Sequence, residues 1–526
     1  MNKETVVLMG ASGCMGYEAF RELWRRREKY NIVLLLLETP AEKKLFRKYA
    51  KKAGIHPFPG KGVVEGKGLK IVWGDARVYA DVEEAIRGAD WVLNAMALIS
   101  PQADYYPEAA YGVNVRAITN IIRAIEAQPG GAERIKYIHT GTVAETGDRL
   151  PPIHVGRVGD PLKPSVFDYY AVTKIAGERA VLESRLKYWA SLRMSFIIPV
   201  DFQDYLNLWE PIMFHQPIRT CMENISSRDA GYGMVNCLDI PADSNFWRKV
   251  YNMGGGPSMR CSALGFMDQA LGLGGISSVK AVTERRWFAL MNFHMQYFED
   301  SHLANHYLGF WRDSLEDCLV SLAESRPIGI KLASWLSRTF PFVQKEVERR
   351  THRQMRRMAE DHRNGTGYWV KSGNDWRVSA FYKDYSTYQN IPGWEGDLPA
   401  VVPDLEWTRL DHGFDEQQGM LTLHDLREAA LFRGGECLAQ EWNGDLYQTV
   451  PWKCARGHKF SGKPYTILFA GHWCPDCMPP PWDYDREARI NPFFAQVWYP
   501  NHEQNENNLY PGECLEDVAG ADRDPF

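Results

Sequence analysis

The stretch Val6-Val7-Leu8-Met9-Gly10-Ala11-Ser12-Gly13-Cys14-Met15-Gly16 constrains the fold more than any other part of the chain. An apolar run there breaks into spaced glycines and then into a helix-like segment through Arg27, which reads as strand, phosphate-sized turn and helix. Gly10 would let the chain leave the strand tightly, Gly13 would open bare backbone to a pyrophosphate, and Gly16 would let the helix pack close to the sheet. The spacing is Gly-x-x-Gly-x-x-Gly, not the Gly-x-Gly-x-x-Gly of many dehydrogenase turns. Alone, it also fits a strand-to-helix turn that binds nothing.

The segments downstream of the turn give it a context. Asn31-Ile32-Val33-Leu34-Leu35-Leu36-Leu37 is nearly continuous apolar sequence, as in strands buried on both faces of a parallel sheet. It ends in Glu38, about twenty residues past the turn, where a carboxylate would bond an adenosine ribose and repel a 2′-phosphate. That favours NAD over NADP. Lys43, Lys44 and Arg47 are the opposing signal, either a phosphate site or a solvated helix face. Leu69-Lys70-Ile71-Val72-Trp73 reads as a third strand and Asp81 to Ile86 as a helix. Trp91-Val92-Leu93-Asn94-Ala95-Met96-Ala97 reads as a fourth strand, Val113 to Glu126 as a helix and Ile135-Lys136-Tyr137-Ile138-His139 as a fifth strand. This alternation predicts an α/β protein with a parallel sheet wound on both sides.

The turn Gly10 to Gly16, Gly74-Asp75, Asn94-Ala95-Met96-Ala97, Gly112-Val113-Asn114, Thr140-Gly141-Thr142 and Tyr170-Ala171-Val172-Thr173-Lys174 match a known pattern in order and interval. The chain from residue 1 to about 270 resembles the extended short-chain dehydrogenases/reductases, a superfamily of nucleotide-sugar epimerases, dehydratases and hydroxysteroid dehydrogenases. The resemblance implies a Rossmann-type doubly wound sheet that binds NAD, with NADP as second choice. Carried over by motif, the cofactor contacts are Gly10, Ser12, Gly13, Cys14, Met15, Gly16, Glu38, Asp75, Ala95, Met96, Tyr170 and Lys174.

Tyr170 and Lys174 are four apart, so on a helix they share a face, and the ammonium would lower the phenol pKa. A phenol so poised exchanges a proton with the substrate oxygen while hydride moves at nicotinamide. In a chain with 25 tyrosines that spacing has weight only at this position, after the fifth strand. The resemblance gives Thr142 the task of orienting the substrate oxygen, with Thr140 as second choice. Asn114 would hold a relay water or a helix kink; its other reading is an ordinary helix-interior asparagine. A dehydratase would add an acidic pair after the threonine, but Glu145 is followed by Thr146. Net oxidation and a transient one, as in epimerisation, both remain open.

The second half of such a chain builds the substrate cap. Glu210 to Pro217 and Ser226 to Gly231 fall there, and Val250-Tyr251-Asn252-Met253-Gly254-Gly255-Gly256 resembles the strand and glycine turn that return to the core. A helical cap is predicted over 271–340. The aromatic run from Trp287 to Phe298 predicts either a pocket for a hydrophobic alcohol or ketone or ordinary core. His215, His294, His302 and His306 could bind substrate, the alternative being structural histidines.

The region 341–430 reads as a charged helix from Lys345 to Arg363 followed by an irregular Trp-, Gly- and Pro-rich stretch from Gly365 to about Asp411. Over 431–480, Cys454-Ala455-Arg456-Gly457-His458 and Cys474-Pro475-Asp476-Cys477 have the spacing of a closed tetrahedral zinc site, with Cys437 and His472 as alternative ligands. The block resembles a small zinc ribbon of structural purpose, clamping the tail to the enzyme or to a second subunit of a homo-oligomer. A redox role for Cys474 and Cys477 lacks the surrounding fold it would need. The tail 481–526 is rich in Pro, Asn and acids and reads as partly extended.

A net charge of −5 over 526 residues suggests neither nucleic acid nor a membrane as partner. The first strand begins too early to leave room for a signal peptide, and no apolar run spans a bilayer, so a cytoplasmic protein is expected. The leading expectation is an NAD(P)-dependent oxidoreductase of a hydrophobic secondary alcohol or ketone. The alternatives are a nucleotide-sugar epimerase or dehydratase with tightly bound NAD, and a dinucleotide-sensing regulator.

Overall fold

The computed structural model describes residues 3–396 and 407–512; parts of the expected irregular stretch and tail, 397–406 and 513–526, lie outside the described residues. Eight strands form the main sheet: β1 (Glu4–Met9), β2 (Tyr30–Leu36), β3 (Val63–Gly66), β4 (Leu69–Trp73), β5 (Trp91–Asn94), β6 (Lys136–Thr142), β7 (Tyr188–Met194) and β8 (Lys249–Met253). Their order is β8-β7-β6-β5-β1-β2-β4-β3. Every pairing is parallel except β3 with β4, an antiparallel hairpin at the edge. Strand order reverses between β1 and β5, and at such a switch point loops diverge and leave a crevice at the strands' C-terminal ends.

The doubly apolar runs do what their composition predicts. Val6, Leu8, Ile32 and Leu34 face one core, shared with the helix Cys14–Arg25. Val7, Met9, Val33 and Leu35 face the other, shared with the helix Ala117–Ala127. Burying such side chains contributes about 1.5–3 kcal/mol each, which pins the sheet between two helical layers. β3 leaves little trace in the sequence because its residues alternate between exposed and covered over only four positions.

The cap contains a small sheet of Phe196–Ile198, Cys221–Ser226 and Arg260–Ser262, with helices from Leu315 to Ala359 around it. The aromatic run differs from a pocket lining: Trp287, Phe288, Met295, Tyr297 and Phe298 are buried core. Only Phe293 and His294 of that run's rings are partly exposed.

Two further expectations are corrected. Residues 366–389 are not irregular but form helices Thr366–Ser372, Asp375–Tyr382 and Tyr385–Gln389. The tail is not extended where described, since Tyr484–Ile490 and Pro492–Trp498 are helices. Together they bury Trp369, Phe381, Trp482 and Trp498 with Val166, Phe167 and Val172, around the entrance to the helix Tyr169–Leu182. The three-stranded ribbon Glu436–Cys437, Val450–Lys453 and Lys459–Gly462 packs on the helix Leu423–Phe432.

Candidate functional site

The three turn glycines are needed for different reasons. Gly10 has φ 76°, and a Cβ there would lie 2.7 Å from the Met96 nitrogen. A Cβ on Gly16 would fall 2.0 Å from the Gly10 oxygen. Both are required by the fold. Gly13 is not, because its nearest contact would be an ordinary 3.5 Å. It caps the helix Cys14–Arg25 without a side-chain bond and with no acid in the first turn. A helix start left bare and electropositive in this way accommodates a phosphate.

Ser12, Gly13 and Cys14 are exposed there, whereas Met15 is buried and offers only backbone. The Ser12 hydroxyl donates to Glu42 at 2.7 Å. Glu38 stands exposed just beyond β2, free to meet a ribose. Asp75 is held by Arg77 at 2.6 Å. Ala95 donates its N–H to the Met9 carbonyl at 3.0 Å, and Ala95 and Met96 line the way from β5.

The helix Tyr169–Leu182 holds Tyr170 and Lys174, the residues expected from the sequence to carry the chemistry. Asp168 caps it by accepting from the Ala171 N–H at 2.9 Å, and buried Asp104 accepts from the Tyr169 N–H at 2.9 Å. Phe167, at φ 71°, is held in this costly left-handed conformation by rings of Phe381, Trp482 and Tyr510. Tyr170, in the first turn of the helix, packs with Met96 against the cluster that contains Leu98 and Val113. Lys174, buried one turn on, donates its ammonium to the Thr140 carbonyl. The Thr140 hydroxyl is committed to the Asn94 carbonyl at 2.7 Å, and the Thr142 hydroxyl accepts from the Ala144 N–H at 3.2 Å.

Burial brings the Lys174 pKa down to about 8, with Glu145 and Glu178 opposing. The Tyr170 phenol departs from the sequence expectation: burial, joined by Glu145 and Asp168, pushes it above its ordinary value. Asn114, in the π-helical turn Gly112–Arg116, accepts from the Leu98 N–H at 2.9 Å and donates to the Leu98 carbonyl and Thr173 hydroxyl. Its amide braces the loop after β5.

Behind the helix lies a charged network that the sequence did not reveal. Tyr170, Lys174 and Glu178 recur every fourth residue on one helix face. Glu178 is fully buried, 2.6 Å from Arg193, 2.6 Å from the Ser191 hydroxyl and 3.0 Å from His472. Arg193 also lies 3.1 Å from buried Glu145 and donates to the Ala470 carbonyl at 2.8 Å. Glu145 accepts from the Thr142 N–H at 2.9 Å, so it is spent on capping and on Arg193. His294, a sequence candidate for the substrate, instead meets Asp168 through its Nδ1 at 3.0 Å. His215 is buried against the Asn364 carbonyl at 2.9 Å.

The ribbon brings Cys454, His458, Cys474 and Cys477 together, their ligand atoms all within 4.8 Å of one another. Cys454 and Cys477 sulfurs are 3.7 Å apart, and His458 Nδ1 is 3.6 Å from Cys474 and 3.3 Å from Cys477. A zinc tetrahedron has S···S edges of about 3.8 Å and slightly shorter S···N edges, so the donor set and spacing fit that ion. Cys437 is buried in the ribbon's own core and His472 is turned to Glu178, so neither alternative ligand joins the cluster.

Residues 6–201 match the model of the NAD dependent epimerase/dehydratase family. A UDP-glucose 4-epimerase of Rickettsia akari (strain Hartford) is 40% identical over 57 residues, 11% of this chain and 17% of that protein. Among solved structures, dTDP-glucose 4,6-dehydratase of Bacillus anthracis in complex with NAD superposes with TM-score 0.46 and 15% identity, over 61% of this chain and 96% of the other. UDP-glucose 4-epimerase of Bifidobacterium longum, in complex with NAD+ and UDP, gives 0.44 and 16%, over 61% and 97%. The glycine turn Gly10 to Gly16 and the strands β2 to β7 fall within the residues that this family model matches.

Proposed function

We propose that this protein moves hydride between NAD and a carbon bearing a secondary alcohol or ketone. The carrying observation is buried Lys174 donating its ammonium to the Thr140 carbonyl near the C-terminal end of β6, with Tyr170 one turn before it on the same helix face and Thr142 closing that strand. NAD, when bound, supplies the hydride acceptor. The bare helix start behind Gly13 receives its phosphates, and exposed Glu38 selects NAD over NADP. Thr142 orients the substrate oxygen, Tyr170 exchanges its proton, and Lys174 holds the ribose. Tyr170→Phe is expected to lower turnover by roughly 10²–10⁴-fold while NAD binding, followed by titration, stays within a few-fold. Unchanged turnover of a nicotinamide-reducing substrate would overturn the assignment.

A second reading is transient oxidation by tightly held NAD, as in epimerisation of a nucleotide-linked sugar; the family match favours it. NAD released only on denaturation, with no net reduction of free NAD, would select it. Dehydration is disfavoured because Glu145, the acid after Thr142, is locked by a backbone N–H and Arg193. The support for a hydrophobic substrate weakens with the cap's aromatic run being core. The Cys454, His458, Cys474 and Cys477 cluster holds one structural zinc, because four protein ligands leave no open position.

A further inference from the structure

The helix Ile328–Thr339 is packed inside out. Its buried residues are Ser334 and Ser337. The Ser337 hydroxyl donates to the Gly275 carbonyl at 2.6 Å, and a Cβ on Gly275 would lie 2.9 Å from the Ser334 Cα. With its small polar side against that turn, the helix shows its apolar side to solvent: Ile328 is 84% exposed, Leu332 55% and Trp335 58%. At the junction with the helix Pro341–Ala359, Phe340 and 72%-exposed Phe342 extend the patch. Ring centroids are 6.5 Å apart for Trp335 and Phe340 and 5.8 Å for Phe340 and Phe342.

The charge around this patch opposes that of the whole chain. Phe342, Lys345, Arg349, Arg353 and Arg356 recur at helical spacing, so they form one stripe, and all are exposed. From residue 326 to 359 there are nine Lys and Arg against two Glu, in a chain of net charge −5. The sequence expectation of no membrane partner rests on that overall charge, which averages out this reversal.

Contiguous exposed aromatics of this kind mark an interaction surface. A second copy would set the same basic stripe against itself across a two-fold axis, at a like-charge cost. A bilayer with anionic headgroups meets both features, taking Trp, Phe and Leu at its interface and Lys and Arg among its phosphates. We propose that the helix Ile328–Thr339 and the start of Pro341–Ala359 form a peripheral docking surface for an anionic lipid bilayer. The helix lies in the interface plane; among the described residues no helix is long and apolar enough to cross.

The test is co-sedimentation of the full chain with vesicles of pure phosphatidylcholine and of phosphatidylcholine with one-third phosphatidylglycerol. The protein is expected to pellet with the anionic vesicles and to be released by salt. Trp335→Ser with Phe342→Ser, and separately Arg349→Glu with Arg353→Glu, should each weaken association by about tenfold or more. Both pairs replace exposed residues, and an unchanged unfolding transition checks that the variants are folded. Failure to pellet with anionic vesicles would overturn the proposal, as would undiminished association of both folded variants. A dimer in the absence of vesicles that Trp335→Ser with Phe342→Ser dissolves would overturn it too, by showing that a second copy covers the face.

Discussion

Gly13 and Gly16 carry the same letter three positions apart, but the protein needs only one of them for packing. Gly16 has no room for a methyl group, whereas Gly13 has an ordinary 3.5 Å and so leaves space that the fold itself does not claim. Asp104 makes a similar point about charge. Burial, reinforced by Asp168, pushes its carboxyl up to about 7. The folded protein therefore holds this proton more tightly than the unfolded chain, whose aspartate titrates near about 4. The resulting stabilisation is full below the unfolded value and is lost as pH rises through about 7. Asp104→Asn can still accept from the Tyr169 N–H, so it should flatten the fall of the urea midpoint between about pH 4 and 7. An unaltered slope in that window would contradict this origin of the shift.

At the scale of elements, the helix Tyr169–Leu182 is tied to the rest of the molecule by Glu178. Removing that carboxylate leaves Arg193 and His472 buried without their shared partner. Glu178→Ala should therefore cost about 3–5 kcal/mol in chemical denaturation. Glu346→Ala, at an exposed pair with Arg349 and Arg350, should leave stability nearly unchanged, because solvent screens such a pair. Equal costs would mean that burial of the network is not what gives it weight. The sequence makes the Tyr170 and Lys174 pair legible because both partners lie on one helix face. Glu178 sits on that face too, but His472 lies 294 residues away, so nothing local announces their contact. β1 and β2 are legible because both faces of each strand are apolar. The helices between Thr366 and Gln389 are not, since aromatic residues packed from several sides leave no period to read. Met15 and Asn114 show the limit of motif transfer: position carries over, but burial and bonding decide what the side chain can do.

Across the whole molecule, the Cys454, His458, Cys474 and Cys477 cluster and the helix Tyr169–Leu182 belong to one mechanical unit. The Trp473 carbonyl, next to Cys474 of the cluster, accepts from Arg179 at 2.6 Å. The Lys463 N–H donates to Glu183, and the Lys463 ammonium donates to the carbonyls of Leu182 and Ser184, satisfying the helix end. Tyr465 accepts from the Val250 N–H in β8 at 2.8 Å, so the segment after the ribbon also grips the sheet. A site of three thiolates and an imidazole without metal would set like charges side by side, and structural zinc commonly supplies folding energy directly. Metal analysis of the purified chain is expected to find one zinc per molecule, and Cys474→Ser to remove most of it. Loss of the ribbon's geometry should then reach the helix through Arg179 and Lys463, lowering both the thermal transition and turnover, while the bare turn at Gly13 still binds NAD. Because Cys474 is far in sequence from every residue assigned to the reaction, a fall in turnover with NAD affinity retained would trace the effect to the clamp. Absence of zinc, or a Cys474→Ser protein that melts and turns over as before, would show that the cluster is not what holds the helix in place.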